Sequence, residues 1–246
     1  MTRGMRWLGP PGSPVWFPDP ASALDWPNGL LAAGGDLSPK RLLAAYRCGV
    51  FPWYEAGQPI LWWCPDPRAV IIPGELHVAR RLRRYLATHR FEASFDRAFA
   101  AVVAGCARDE DPDIGTWITP EMALAYERLH ALGHAHSVEV WSGDHLAGGL
   151  YGVAVGRAFF AESMFSRASN ASKAAMIFLA RELRGRGFRV MDCQLPSRHL
   201  ASMGAREIGR REFLELLAAS VDEPPLGAPG WSRQRRAVPA GAADAS

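Results

Sequence analysis

The chain has no apolar run near the ~20 residues that a helix needs to span a bilayer, so a membrane protein is not expected. Its first residues, MTRGMRWLGPPGSP, contain no continuous apolar core of a secretory signal, and the cytoplasm is the expected compartment. Cysteine is sparse: Cys48, Cys64, Cys106 and Cys193 are scattered and no CxxC pair occurs. Such thiols are expected to be free rather than bridged or zinc-bound. No internal repeat is present, and GGLYGVAVG lacks the Lys-Ser/Thr of a phosphate-binding loop and opens no helix, so nucleotide binding by that route is not expected. Charge is nearly balanced: 28 Lys and Arg face 25 Asp and Glu, a net of +3. That excess is too small to mark a nucleic-acid binder by itself; the placement of the charge has to decide.

What is present fits a globular α+β protein of 246 residues, 48% hydrophobic. Residues 1–66 are rich in Pro, Gly and Trp, with the turn signals FPDP, PNG and GGD, and read as a small turn-rich N-terminal domain. One helix is clear there: Ser38 can cap it, Pro39 suits its first position and Gly49 ends it. Residues 67–222 read as a mixed-sheet domain. After several helices, HSVEVW, HLAGGLYGVAVG and RAFFAESMF read as three strands. An amphipathic helix, SNASKAAMIFLARELRGRG, follows, and then the strand FRVMDCQ. Ser169, Asn170 and Ser172 are the candidate caps of that helix. The order β-β-β-α-β is that of N-acetyltransferase-like domains, an analogy at the level of fold. Residues 223–246 are Pro-, Gly- and Ala-rich without periodicity and are expected to be a mobile tail.

Two stretches carry chemistry. In FFAESMF, strict alternation puts Phe160, Glu162 and Met164 on one face. A carboxylate among Phe and Met is costly unless paired; Arg167 or Lys173 could pair it structurally, or a ligand's cationic group could do so functionally. In DCQ, alternation puts Asp192 and Gln194 together at the carboxyl end of a strand, where α/β sheets bind ligands. A strand-end acid that caps a nearby turn fits equally well there. The helix around RRLRR carries Arg80, Arg81, Arg83 and Arg84, either a solvated face or a phosphate-binding patch. Trp53, Trp62, Trp63 and Trp117 lie in or beside turns rather than on periodic faces; they are core residues or stacking platforms for bases. His130, His134 and His136 are split by the helix stop at Gly133, which argues against a metal site.

Taken in order, NGLLAAGGDLSPKRLLAAYRCGVFPWY, PILWWCPDPRAVI, TWIT, AYERLHALGHAHSVEVW, GGLYGVAVG, ESMFSRASNASK, DCQ and HLASMGA resemble the leucyl/phenylalanyl-tRNA–protein transferases. The resemblance runs from about Phe17 to about Val221. It implies a small N-terminal domain and an acetyltransferase-like C-terminal domain, with no metal or organic cofactor and action as a monomer. It implies transfer of Leu or Phe, less often Met, from aminoacyl-tRNA to the N-terminal Lys or Arg of a protein, creating an N-degron. The family's catalytic Asp and Gln fall on Asp192 and Gln194, and its acid on Glu162. The aminoacyl-adenosine aromatics fall on Trp53 and Trp117. The side-chain pocket falls on Leu150, Phe159, Met164 and Leu179, with Met176 and Met191 beside it. The tRNA-holding helix falls on Arg80, Arg83 and Arg84. Ala161 stands where the family usually has Gly, and Leu150 and Met191 where other members often carry Met and Ile; these swaps roughly conserve volume. In this reading Asp192 orients Gln194, Gln194 holds the attacking amine, and Glu162 with Asp192 supplies negative potential for a basic acceptor. Two other readings stay open. One is a coenzyme A-dependent acetyltransferase, which the missing glycine-rich pyrophosphate loop opposes. The other is a non-catalytic RNA-binding module built on the tryptophans and the arginine helix.

Overall fold

The computed structural model describes residues 5–107, 116–227 and 230–239. A small sheet of order β1-β2-β4-β3 is formed by β1 (Arg6–Leu8), β2 (Leu30–Gly34), β3 (Phe51–Pro52) and β4 (Leu61–Trp63). Helix α1 (Pro39–Arg47) starts and stops as its sequence predicts. Ser38 Oγ accepts from the Arg41 N–H at 3.4 Å, Pro39 fills the first position, and Gly49 leaves the helix at φ +76°. Trp62 is fully buried and its indole N–H donates to Gly34 O at 2.8 Å. Its apolar cluster includes Tyr46 from α1 and continues through Tyr126, Phe160 and Phe213. The turn-rich N-terminal part and the larger sheet therefore share one core.

The larger sheet has the order β11-β5-β10-β9-β8-β7-β6-β12. Its strands are β5 (Arg68–Ile71), β6 (Glu92–Phe95), β7 (Ala135–Ser142), β8 (His145–Val155), β9 (Ala158–Ser166), β10 (Val190–Asp192), β11 (Arg206–Ile208) and β12 (Arg236–Ala237). Helices α3 (Phe99–Cys106), α4 (Pro120–Ala131) and α7 (Arg210–Val221) join α1 in the core on one face. Helices α2 (Arg80–Thr88) and α5 (Ala171–Gly185) pack on the other, with the one-turn α6 (Arg198–Ala201). Both faces are covered, which is why β7 and β8 are buried almost throughout. No helix among the described residues is long and apolar enough to cross a membrane. The four cysteines are free.

Three local expectations are corrected. The start of α5 is not capped by the side chains of Ser169 or Asn170. Asn170 sits in the left-handed region at φ +65°, and Ser166 Oγ, at the end of β9, accepts the Ser172 N–H at 2.8 Å. The strand expected over FRVMDCQ is only three residues long, because Gln194 leaves it at φ +56°. The end of the chain, read as a mobile tail, holds a strand: β12 pairs antiparallel with β6, and Trp231 packs on the apolar cluster under α5. Aperiodic composition hid this, because one aromatic ring and two backbone pairs give no repeating pattern. Residues 228–229 and 240–246 of that stretch lie outside the described residues.

Candidate active site

Strands β9 and β10 form the parallel pair of the sheet, joined through α5. They pair only over Ala158–Phe160 against Val190–Asp192. Beyond that, β9 runs on to Ser166 while the other chain turns away. A gap opens at the carboxyl ends of the two strands, the place where parallel sheets present ligand sites.

Glu162 stands in this gap because β9 is bulged there. Tyr151 pairs with Ser163 and Gly152 with Ala161, so Glu162 is an extra, unpaired residue. The bulge breaks the expected alternation. Phe160 faces the core that holds α1, while Met164 packs on the cluster under α5. Phe159 and Met164, which alternation separates, end on the same side of the sheet. Glu162 pairs with neither Arg167 nor Lys173. Its Oε2 accepts from Tyr126 Oη at 2.6 Å and its Oε1 from Gln194 Nε2 at 3.2 Å. Tyr46 Oη lies 2.8 Å from Tyr126 Oη, which extends the chain of hydroxyls inward. Burial pushes the Glu162 carboxyl up to about 7, and the neighbouring Asp192 adds to this, while hydrogen bonding to Tyr126 and Tyr46 pulls it back down.

Asp192 is fully buried and forms a bidentate pair with the equally buried Arg68: Nε to Oδ1 at 2.8 Å and Nη2 to Oδ2 at 2.7 Å. The guanidinium lies between the rings of Phe51 and Phe213, 4.8 and 4.5 Å from their centres. Asp192 Oδ1 also accepts the Gln194 N–H at 3.0 Å. Gln194 O accepts the Ala69 N–H at 3.1 Å, so β5 holds this residue from the other side. A non-glycine residue in the left-handed region costs about 1–2 kcal/mol, and these two hydrogen bonds are what hold it. The expectation that Asp192 and Glu162 jointly supply negative potential is corrected, because Arg68 neutralises Asp192 at contact distance. Among the described residues, Glu162 is the carboxylate that faces the gap.

Two pockets meet at this point, sharing Glu162, Cys193 and Gln194. One, about 260 Å³, is walled by Phe51, Pro52, Trp53, Trp117 and Leu195. The other, about 230 Å³, is walled by Leu150, Ala161, Ser163, Met164 and Leu200. Trp53 is 43% exposed and stacks edge-on against Trp63, whose indole N–H donates to Trp53 O at 2.6 Å. Phe159 and Leu179 are fully buried in the cluster behind the second pocket and do not reach its surface. A larger cavity of about 660 Å³ lies between the end of α5 and the tail, lined by Arg181, Arg184 and Trp231 among others; it shares no residue with these two. Arg80, Arg83 and Arg84 are exposed on α2, and among the described residues none of them forms an ion pair. His130 and His136 both approach Asp96, at 3.7 and 2.8 Å. Among the described residues no group of three or more His, Cys, Asp or Glu could hold a metal ion.

Comparison with known proteins decides the family. The model described as leucyl/phenylalanyl-tRNA protein transferase matches residues 70–218, and that of its N-terminal domain matches residues 35–66. The chain belongs to this family. It is an aminoacyltransferase. It is 59% identical over 211 residues to the leucyl/phenylalanyl-tRNA–protein transferase of Pseudomonas aeruginosa (strain LESB58), covering 86% of this chain and 93% of that one. It is 58% identical over 208 residues to that of Azotobacter vinelandii, covering 85% and 92%. The Aromatoleum aromaticum protein of the same name is 56% identical over 221 residues, covering 90% and 93%. Among solved structures, that of L-PGS from Bacillus licheniformis is similar at a TM-score of 0.39 and 9% identity, covering 68% of this chain and 53% of that one. That likeness is too remote to carry an argument.

Sequence reasoning missed Arg68, Tyr46 and Tyr126, the residues that hold Asp192 and Glu162 in place. Arg68 had a signal: a lone arginine opening the apolar run RAVII needs a buried counter-charge. The two tyrosines had none, since each stands at an apolar-face position of its helix.

Proposed function

We propose that this chain transfers Leu or Phe, and less often Met, from aminoacyl-tRNA to the N-terminal Lys or Arg of an acceptor protein, creating an N-degron of the N-end rule pathway. It would act in the cytoplasm as a monomer. The observation that carries this reading is that two pockets of unlike character converge on one Glu162–Gln194 contact. The pocket of Trp53 and Trp117 suits a terminal adenosine, by stacking. The pocket of Leu150 and Met164 suits the apolar aminoacyl side chain, with Phe159 and Leu179 as the layer behind it. The exposed arginines Arg80, Arg83 and Arg84, free of acidic partners among the described residues, suit the phosphates of the acceptor stem. The β9–α5–β10 unit with its open carboxyl end supports an acetyltransferase-like assignment for residues 67–222, with 1–66 as the smaller N-terminal domain.

The reaction is aminolysis of an ester. The acceptor's α-amine attacks the aminoacyl carbonyl carbon, the new C–N bond forms, and the C–O bond to the tRNA ribose breaks. The amine gives up a proton and the leaving ribose oxygen takes one. An α-amine has a pKa near ~8, so a useful fraction is already neutral at neutral pH and positioning supplies much of the rate. Gln194 does the positioning. Its Nε2 is given to Glu162, which as a carboxylate can only accept, so its Oε1 is left to accept an N–H of the attacking amine. Asp192, Gln194 and Glu162 thus act as one unit: Asp192 fixes the backbone of Gln194, and Glu162 fixes its amide and faces the acceptor's cationic side chain.

Incubation with labelled Leu-tRNA and a peptide beginning with Arg should place label in the peptide, while a peptide beginning with Ala stays unlabelled. Equal labelling of the two, or none in either, would sink this assignment.

A further inference from the structure

The stretch that the family model matches ends at residue 218, yet the chain folds back onto the sheet well beyond it. Phe95 N–H donates to Ser232 O and Val238 N–H to Phe91 O, each at 3.0 Å, on either side of the β12–β6 pair. Trp231 sits at the start of this segment. Its ring is 4.8 Å from Phe95, 4.6 Å from His136, and 6.2 Å from both Phe159 and Phe188, centre to centre. The Arg186 guanidinium covers it at 4.7 Å. Five residues on, Arg236 lies 5.1 Å over the Phe178 ring and reaches Glu182 Oε2 at 3.4 Å, so the same segment grips two positions of α5.

The groups it bears on are those behind the apolar pocket. Phe159 stands two residues before Ala161, a pocket wall, on the same side of the sheet. A Cβ added at Gly152 would come within 2.5 Å of the Phe159 ring, so that ring is closely packed on one side and has Trp231 on another. Phe178 is the chain neighbour of Leu179 on α5. Close-packed interiors pass a displacement on to the next layer.

We infer that Trp231 is a positioning residue that sets the depth of the apolar pocket through Phe159 and α5, and with it the balance between Leu and Phe as the transferred residue. The inference rests on the pocket assignment proposed above. Removing the indole leaves a void behind Phe159. The ring relaxes toward it, the pocket deepens, and the longer aromatic donor gains relative to Leu.

The test compares full-length wild type, Trp231→Ala and Trp231→Phe with Leu-tRNA and Phe-tRNA and one Arg-initiated peptide, reading kcat and KM for each donor beside thermal stability. In Trp231→Ala the Phe-to-Leu ratio of kcat/KM should rise by about fivefold, carried by KM, which is on the scale of part of a methylene in a binding pocket. Trp231→Phe should return the ratio toward wild type. A purely structural clasp would lower stability and both donors by one factor; that outcome, or an unchanged ratio, overturns the inference. Should Trp231→Ala fail to fold, Trp231→Leu carries the same expectation at smaller size. A wild type that transfers neither donor overturns the proposed function as well, which separates the two failures.

Discussion

Two carboxylates lie on the neighbouring strands β9 and β10 and are held in opposite ways. Asp192 is sealed: fully buried, bidentate with Arg68, and further engaged by the Gln194 N–H. Glu162 faces the pockets and has only neutral donors, a tyrosine hydroxyl and a glutamine amide. The first is a fixed anion with its charge cancelled in place. The second has no cation at contact distance, and burial lifts it to about 7. In the proposed reaction the sealed acid shapes the backbone, and the open acid answers a cation that arrives with a substrate.

The sealed pair is where the comparison can be broken most violently. Asp192→Ala leaves the Arg68 guanidinium buried without a counter-charge, which costs about 3–5 kcal/mol. It also frees Gln194 from its left-handed turn, so transfer should be lost. Urea unfolding beside the transfer assay checks both. The double variant Arg68→Met, Asp192→Leu should regain most of the stability without regaining transfer, since apolar replacement of a buried ion pair is often neutral. Wild-type stability in Asp192→Ala alone would mean that the pair is not what holds this end of the sheet.

The same contrast marks what the sequence made legible. Strands β7 to β9, α5 and the cap of α1 follow from periodicity and from Ser38, whose hydroxyl accepts the expected N–H group. The motif acids themselves were visible. Their holders were not, because Arg68 lies 124 residues from Asp192 along the chain and Tyr126 lies 36 from Glu162. Such long-range pairs leave no local pattern. Nor did the bulge at Glu162, which puts Phe160 and Met164 on opposite faces where alternation had put them on one; period-2 reasoning fails at one inserted residue. The tail misled for a related reason, since Trp231 earns its place from distant rings rather than from its neighbours.

Glu162 offers a milder break, and one that titrates. Glu162→Gln keeps the shape and removes the charge, so transfer to an Arg-initiated peptide should fall roughly 10–100-fold, the range of a hydrogen bond to a charged group. In the wild type, kcat/KM for the peptide should rise with pH through about 7 as the carboxyl ionises. The variant should lack that limb and keep only the rise of the peptide amine near ~8. Stability runs the other way. A carboxyl raised from 4.5 to about 7 favours the protonated fold, so the contribution is complete below 4.5 and is lost as pH climbs through about 7. Glu162→Gln should not show that loss. Identical pH profiles for the two proteins would refute the open-acid assignment.

The finest adjustment is at Tyr126. Its hydroxyl donates to Glu162 at 2.6 Å and meets Tyr46 at 2.8 Å, and hydrogen bonding to both tyrosines works against the upward push of burial on Glu162. Tyr126→Phe deletes one oxygen and keeps the ring in its packed place. The charged form of Glu162 then loses its closest donor, so the limb in the peptide pH profile should move above about 7, by up to roughly one unit for a bond worth about 1.5 kcal/mol. At pH 6.5 transfer should drop several-fold; at pH 9, where the carboxyl is ionised in both proteins, the difference should nearly close. Tyr46→Phe, one hydroxyl further in, should shift the limb in the same direction by less. A midpoint that stays put or moves down in Tyr126→Phe would show that Glu162 is not tuned by this hydroxyl, and that the difference between the sealed and the open carboxylate is set by burial alone.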